Sequence, residues 1–180
     1  MEADLPPQAL SVGAPIAWLR DGSEVGAWMF KARPSIWDIG AALRDGVELD
    51  WWRMAPTYRA ALVHEGHPCV LWITRGDPRV ASGLWAVGEI EGEPYYDVGD
   101  PDDPLWIDEG ARRQLRPRVP VRLEVLTEPV PREVVAADPR LDRLEILRVP
   151  RIGNPAALTP AEWAVLEDLA GPRSGVRGGH

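Results

Sequence analysis

Residues 27–46 read AWMFKARPSIWDIGAALRDG, residues 51–53 read WWR, and residues 68–94 read PCVLWITRGDPRVASGLWAVGEIEGEP. In the first stretch Trp28 and Phe30 alternate with Met29 and Lys31, the two-residue period of a strand. Pro34 ends it, and Ser35 with Asp38 three residues on reads as a capping box. That box opens a helix of about ten residues, ending at Gly46. In the third stretch Cys69–Thr74 is an unbroken apolar run of the buried-strand type, and Gly83–Glu91 is a second strand, so the two form a long-looped hairpin. Gly83 and Gly88 fit a bend or bulge at a barrel corner.

Outward from this centre the signals are shorter. Pro15–Arg20 reads as an edge strand, Leu49–Arg53 as a short strand or strand end, and Pro56–Val63 as a loop with one helical turn. Val119–Thr127 alternates as a strand, Pro131–Ala137 reads as a short helix, and Leu144–Val149 as a strand end or loop. Thr159, Pro160 and Glu162 open a carboxyl-terminal helix with a capping box, and Gly171 ends it. Few strands and a few helices in mixed order give an α+β fold, a single small β-barrel flanked by helices. The expected domain spans residues 14–171, between loose tails at 1–13 and 172–180.

At 180 residues the chain holds one domain with a real core. Its aromatic balance is unusual: nine Trp against three Tyr and one Phe. Six of the nine, Trp28, Trp37, Trp51, Trp52, Trp72 and Trp85, lie between residues 27 and 94. Indoles that only fill a barrel explain this number. So do indoles that frame a slot for a flat ligand.

Lys31 is the single lysine, and the net charge is −8. That charge excludes a general phosphate-coating protein, which needs many cationic contacts. Recognition of one extruded base, driven by stacking, remains open. Nine acids crowd residues 89–109, followed by Arg112, Arg113, Arg116, Arg118 and Arg122. That basic cluster either pairs with the acids or seats a backbone phosphate. One cysteine, Cys69, excludes an internal disulfide. The amino terminus lacks the basic and apolar regions of a signal peptide, and no apolar run suits a membrane helix. The expected location is the cytoplasm.

The order of the pieces resembles a known family. Trp28, Phe30, Lys31 and Pro34 are followed by Trp52-Arg53 and Leu71-Trp72. Then come Ser82-Gly83, Ala86, Gly88, Ile90 and Pro94, and finally Gly153-Asn154, Leu158-Thr159 and Glu162-Trp163. This pattern, over residues 26–170, is similar to the EVE domain of the PUA-like superfamily, related to YTH domains. The chain departs from it in having Gly66-His67 where the family has Gly-Asp, and in a longer segment between Trp52 and Gly66. The resemblance implies a compact barrel with an aromatic-lined pocket for a modified base, flipped from DNA or carried in RNA.

The candidate ligand-binding residues are Trp52 and Trp51, then Trp72, Ser35 and Trp28. Adjacent Trp51 and Trp52 are expected to face opposite ways, one packing inward and the other free for a ligand. Lys31, Arg53 and Arg75 are the candidates for a phosphate. No metal or cofactor is expected: His64-Glu65-Gly66-His67 is not the zinc-helix spacing, and glycine and proline break any helix there. The leading reading is a monomeric, non-enzymatic module for a modified DNA or RNA base. The alternatives are a small-molecule or nucleotide-derivative binder or hydrolase-like enzyme on the same barrel, and a protein-interaction module.

Overall fold

The computed structural model describes residues 13–149 and 151–172. The expected tails lie almost wholly outside them. A two-residue pair, β1 (Ala17–Trp18) and β2 (Glu24–Val25), precedes the central strand β3 (Ala27–Ala32). Then follow α1 (Ile39–Arg44), β4 (Trp51–Arg53), β5 (Pro68–Ile73), β6 (Gly83–Ile90) and β7 (Tyr95–Asp97). The chain continues through α2 (Glu109–Arg113), β8 (Arg116–Pro131), α3 (Arg132–Ala137) and α4 (Glu145–Arg148). It closes with β9 (Ala156–Leu158) and α5 (Pro160–Ala170).

Seven strands make one mixed sheet in the order β4-β8-β6-β5-β3-β9, with β7 also on β8. Only β3 and β5 run parallel. Register shifts at Leu71/Trp72 and Leu84/Ala86 bend the central strands, and such irregularities strengthen twist. The sheet curls into half a barrel, the α+β architecture expected.

Alternation along β3 and β5 separates two cores. Trp28, Phe30, Cys69 and Leu71 point into the curl, with Ala86, Ile90, Val119 and Val121. Met29, Val70 and Trp72 point outward against Leu141, Leu144, Ile146 and Leu166. Both faces of the central strands are therefore dry, which is why residues 68–73 read as continuous apolar sequence. Cys69 is fully buried, and that burial pushes its thiol pKa up and keeps it neutral.

Arg59 ties the helical side together. Its guanidinium forks onto Glu145 at 2.7 and 2.8 Å and reaches the Pro155 carbonyl at 3.3 Å. Glu145 also accepts from the Ala157 amide at 2.8 Å. Because this pair is mostly shielded, Glu145→Ala strands a guanidinium and an amide together. The expected loss is about 1.5–3 kcal/mol, read from the midpoint of a urea transition.

Several local expectations are corrected. Ser35 does not cap α1: Asp38 does, accepting from the Ala41 amide, and the helix is six residues long. Residues 34–36 instead form a turn that leaves Ser35 exposed. Residues 144–149 contain the short helix α4 rather than a strand end. Strands β7 and β9 and helix α2 are too short to show a period in sequence. The carboxyl-terminal capping box of Thr159 and Glu162 forms as expected. No helix among the described residues is long and apolar enough to cross a membrane.

Candidate functional site: an indole box ringed by cations

Where the curl opens, the ends of β3 and β4 face each other without pairing as strands. Two side chains bridge them. Trp52 Nε1 donates to the Lys31 carbonyl at 3.1 Å. Asn154 Oδ1 accepts from the Lys31 amide at 3.0 Å, and its Nδ2 donates to the carbonyls of Lys31 and Arg53, each at 3.2 Å. Beside this seam lies a cavity of about 300 Å³, the size of a small-ligand site.

Four indoles wall it: Trp37, Trp51, Trp52 and Trp106. Trp51 lies nearly parallel to Trp52 and to Trp106, with centroids 6.2 and 6.3 Å apart, and Trp37 meets the Trp51–Trp52 pair edge-on. Trp37 is held by its Nε1, which donates to Asp103 at 2.9 Å. Arg118 lies over the Trp51 ring at 4.4 Å and Arg53 over Trp106 at 5.2 Å, within cation–π range.

The lining also carries Lys31, Arg33, Arg53, Arg116 and Arg151, and no carboxylate. Among the described residues none of these five forms an ion pair. By contrast Arg59, Arg79, Arg112, Arg118, Arg122 and Arg140 are all paired with acids. The acid-rich segment thus neutralises most of the arginine cluster that follows it and leaves Arg116 to the pocket. Burial, with Arg33 adding repulsion, lowers the Lys31 pKa. Burial, then Arg116 and Arg118, lower that of Arg53. The repulsion among these cations is the part of the shift that an anion at the mouth would relieve.

Lys31 and Arg53 are structural as well. Lys31 Nζ donates to the Ile152 carbonyl. Arg53 donates to the carbonyls of Ala111, at 2.9 Å, and Gln114, fixing the end of α2. The cations more exposed at the mouth are Arg33 and Arg151, with Arg116 held by Gln114 Oε1 at 2.9 Å.

Of the candidates from sequence, Trp51, Trp52, Lys31 and Arg53 meet at this cavity. Trp52 is nearly buried and Trp51 half-buried, yet both line it instead of parting to opposite sides. Trp28, Trp72, Ser35 and Arg75 do not reach it. Trp28 is wholly buried because its one polar atom is satisfied inward: Nε1 donates to His67 Nδ1 at 3.1 Å. The ring of His67 accepts at Nδ1 and faces the Pro15 carbonyl with Nε2. That is the structural use of a histidine at the position of the departure noted above. Trp72 is buried under the helices in the outer core. Arg75 is exposed and lies 3.9 Å from Glu133 on α3. Trp37, Trp106, Arg33, Arg151 and Asn154 are site residues that the sequence candidates leave out. The available signals were a lone tryptophan in an acid-rich loop for Trp106 and the Gly153-Asn154 pair of the family pattern for Asn154.

No protein-family model matches this sequence, and no curated protein matches it either. Solved structures do match. The DUF55 domain of human thymocyte nuclear protein 1 superposes with a TM-score of 0.56 at 14% identity, covering 82% of this chain and 99% of that one. Human THYN1 in complex with 5-methylcytosine-containing DNA gives 0.55 at 14%, covering 82% and 98%. Rpa0253 from Rhodopseudomonas palustris gives 0.55 at 20%, covering 87% and 100%. At these identities the likeness establishes the fold alone: the chain shares the curled α+β sheet of the DUF55 domain structure.

Proposed function

We propose that the cavity receives a single base of a nucleic acid, a modified base foremost, and binds it without transforming it. The observation that carries this reading is an indole box of about 300 Å³ ringed by five cations and no carboxylate, on a chain of net charge −8. Flat apolar walls suit a heterocycle, and guanidinium groups at the mouth suit the phosphates on either side of it. Positive charge gathered at one place serves a local contact and not a long electrostatic track. The shared fold with a protein solved on 5-methylcytosine-containing DNA makes that base the first to test.

Trp51 is the wall to remove, because it is half-buried and packs on the edge of the inner core, while Trp52 is nearly buried. Trp51→Ala is expected to weaken binding by about 1–3 kcal/mol, the worth of one stacked base. Fluorescence anisotropy with a labelled oligonucleotide carrying 5-methylcytosine measures it, with the unmodified oligonucleotide and free 5-methylcytidine monophosphate alongside. Unchanged affinity in Trp51→Ala overturns the assignment. Equal affinity for modified and plain strands removes the modified-base specificity. Preference for the free nucleotide returns the site to a metabolite.

A further inference from the structure

A second cavity, of about 160 Å³, borders the indole box and shares Trp51, Arg53 and Trp106 with it. Arg118, Asp100 and Asp103 line it as well. Among the described residues, three buried side-chain donors have no partner: Arg53 Nε, Arg118 Nε and Trp106 Nε1. All three side chains line this one cavity. Trp28, Trp37, Trp52 and Trp85, by contrast, each donate through Nε1. The neighbouring polar atoms are engaged. Arg53 uses Nη1 and Nη2 on the carbonyls of Ala111 and Gln114, and Arg118 reaches Asp97 through Nη1 at 3.4 Å. Asp103 accepts from Trp37 Nε1 and from the Leu105 amide, each at 2.9 Å, and Asp100 accepts from the Asp102 amide at 2.9 Å.

A buried donor without an acceptor is costly, and folded proteins pair almost all of them with protein, water or a ligand. Three on one cavity mark a place for a group with several acceptor sites, which a carboxylate supplies. A simple anion fits poorly, because the carboxylates of Asp100 and Asp103 line the same space. The lining sets two guanidinium groups against two carboxylates, and a ligand that carries both charges matches it. We infer that this cavity binds a small zwitterion, an amino acid with a short side chain. Its carboxylate accepts from the three orphaned donors, and its ammonium group sits against Asp100 and Asp103. Its carbon skeleton lies on the indoles of Trp51 and Trp106. Asp100 is exposed, which leaves the approach from solvent open. This site is additional to the base pocket and does not rest on it.

The test titrates the isotope-labelled full chain with glycine, sodium acetate and methylammonium chloride, and follows nitrogen–proton correlation spectra. The Trp106 indole signal and the Arg118 Nε signal are identified by their loss in Trp106→Phe and Arg118→Lys. With glycine both signals should move together and saturate. Acetate and methylammonium, each carrying half of the recognised charge, should bind about tenfold more weakly. Asp100→Asn, at an exposed position, should weaken glycine about tenfold and leave acetate no weaker. Signals that glycine does not move overturn the site. Acetate binding as tightly as glycine makes it an anion site and overturns the zwitterion. Movement of Trp106 without Arg118 puts the ligand in the larger cavity and overturns the assignment, as does an Asp100→Asn chain that binds glycine like the wild type.

Discussion

Asn154→Asp should open the seam of the half-barrel and abolish the pocket. The amide of Asn154 ties β3 and β4 from outside both strands: it accepts from the Lys31 amide and donates to the carbonyls of Lys31 and Arg53. Aspartate keeps the shape and loses both donors. Its carboxylate then faces two carbonyl oxygens in a part-buried place, so attraction becomes repulsion without any change of volume. The expected loss is about 2–4 kcal/mol, from two unsatisfied carbonyls and their short-range repulsion of the carboxylate, which the lining cations offset only in part. Urea unfolding followed by tryptophan fluorescence reads it. Asn154→Ala removes the same bonds but adds no charge, so it should lie between wild type and the aspartate variant. Since Trp52 is carried on β4 and bonded to the same Lys31 carbonyl, oligonucleotide affinity should fall with stability in both variants. An aspartate variant as stable as wild type would show that the seam holds without this amide.

Gly88→Ala has the larger effect on folding. A Cβ at this position would sit 1.7 Å from the Arg122 carbonyl oxygen and 2.8 Å from its carbon. These are backbone atoms of the neighbouring strand, so no rotamer change makes room. Gly88 pairs with Cys69 on β5 and with Leu123 on β8, at the centre of the sheet. Moving β8 away would break the ladder that also supports β4 and β7. The cost is expected to exceed about 4 kcal/mol, a large part of the about 5–15 kcal/mol by which a domain of this kind is stable. The measurement is the yield of folded chain and its thermal midpoint. Alanine at Gly153, whose nearest neighbours are 3.9 and 4.0 Å away, is the internal control and should be tolerated.

Both variants act through backbone that comes close for reasons a linear reading cannot supply. The period at Trp28 and Phe30 identified β3, the apolar run identified β5, and the Thr159–Glu162 signature identified α5, because each depends on neighbours in sequence. The helix start near residue 35 was misplaced because Ser35 and Asp38 are both good caps. The chain chose Asp38, whose amide hydrogen is engaged by the Leu105 carbonyl of a distant loop. The indoles were legible as a group but not individually. Trp72 and Trp51 are the same residue type on strands of the same sheet, and their fates differ because the helices beyond residue 131 cover the outer face while Trp51 borders the open cavity at the seam.

By itself the sequence determined the central strands, the terminal helix, the α+β class and an unusual share of indole, nine Trp against one Phe. Local periodicity carries those, since it reports which side of a strand is apolar. Only the tertiary structure decided which indoles line a cavity, that Trp106 joins Trp37, Trp51 and Trp52 there, and that five cations without acids surround them. Those residues lie as far apart as Lys31 and Asn154. Their meeting depends on how far the sheet curls and on which arginines the acidic segment has already claimed, and neither is written in any short stretch of chain.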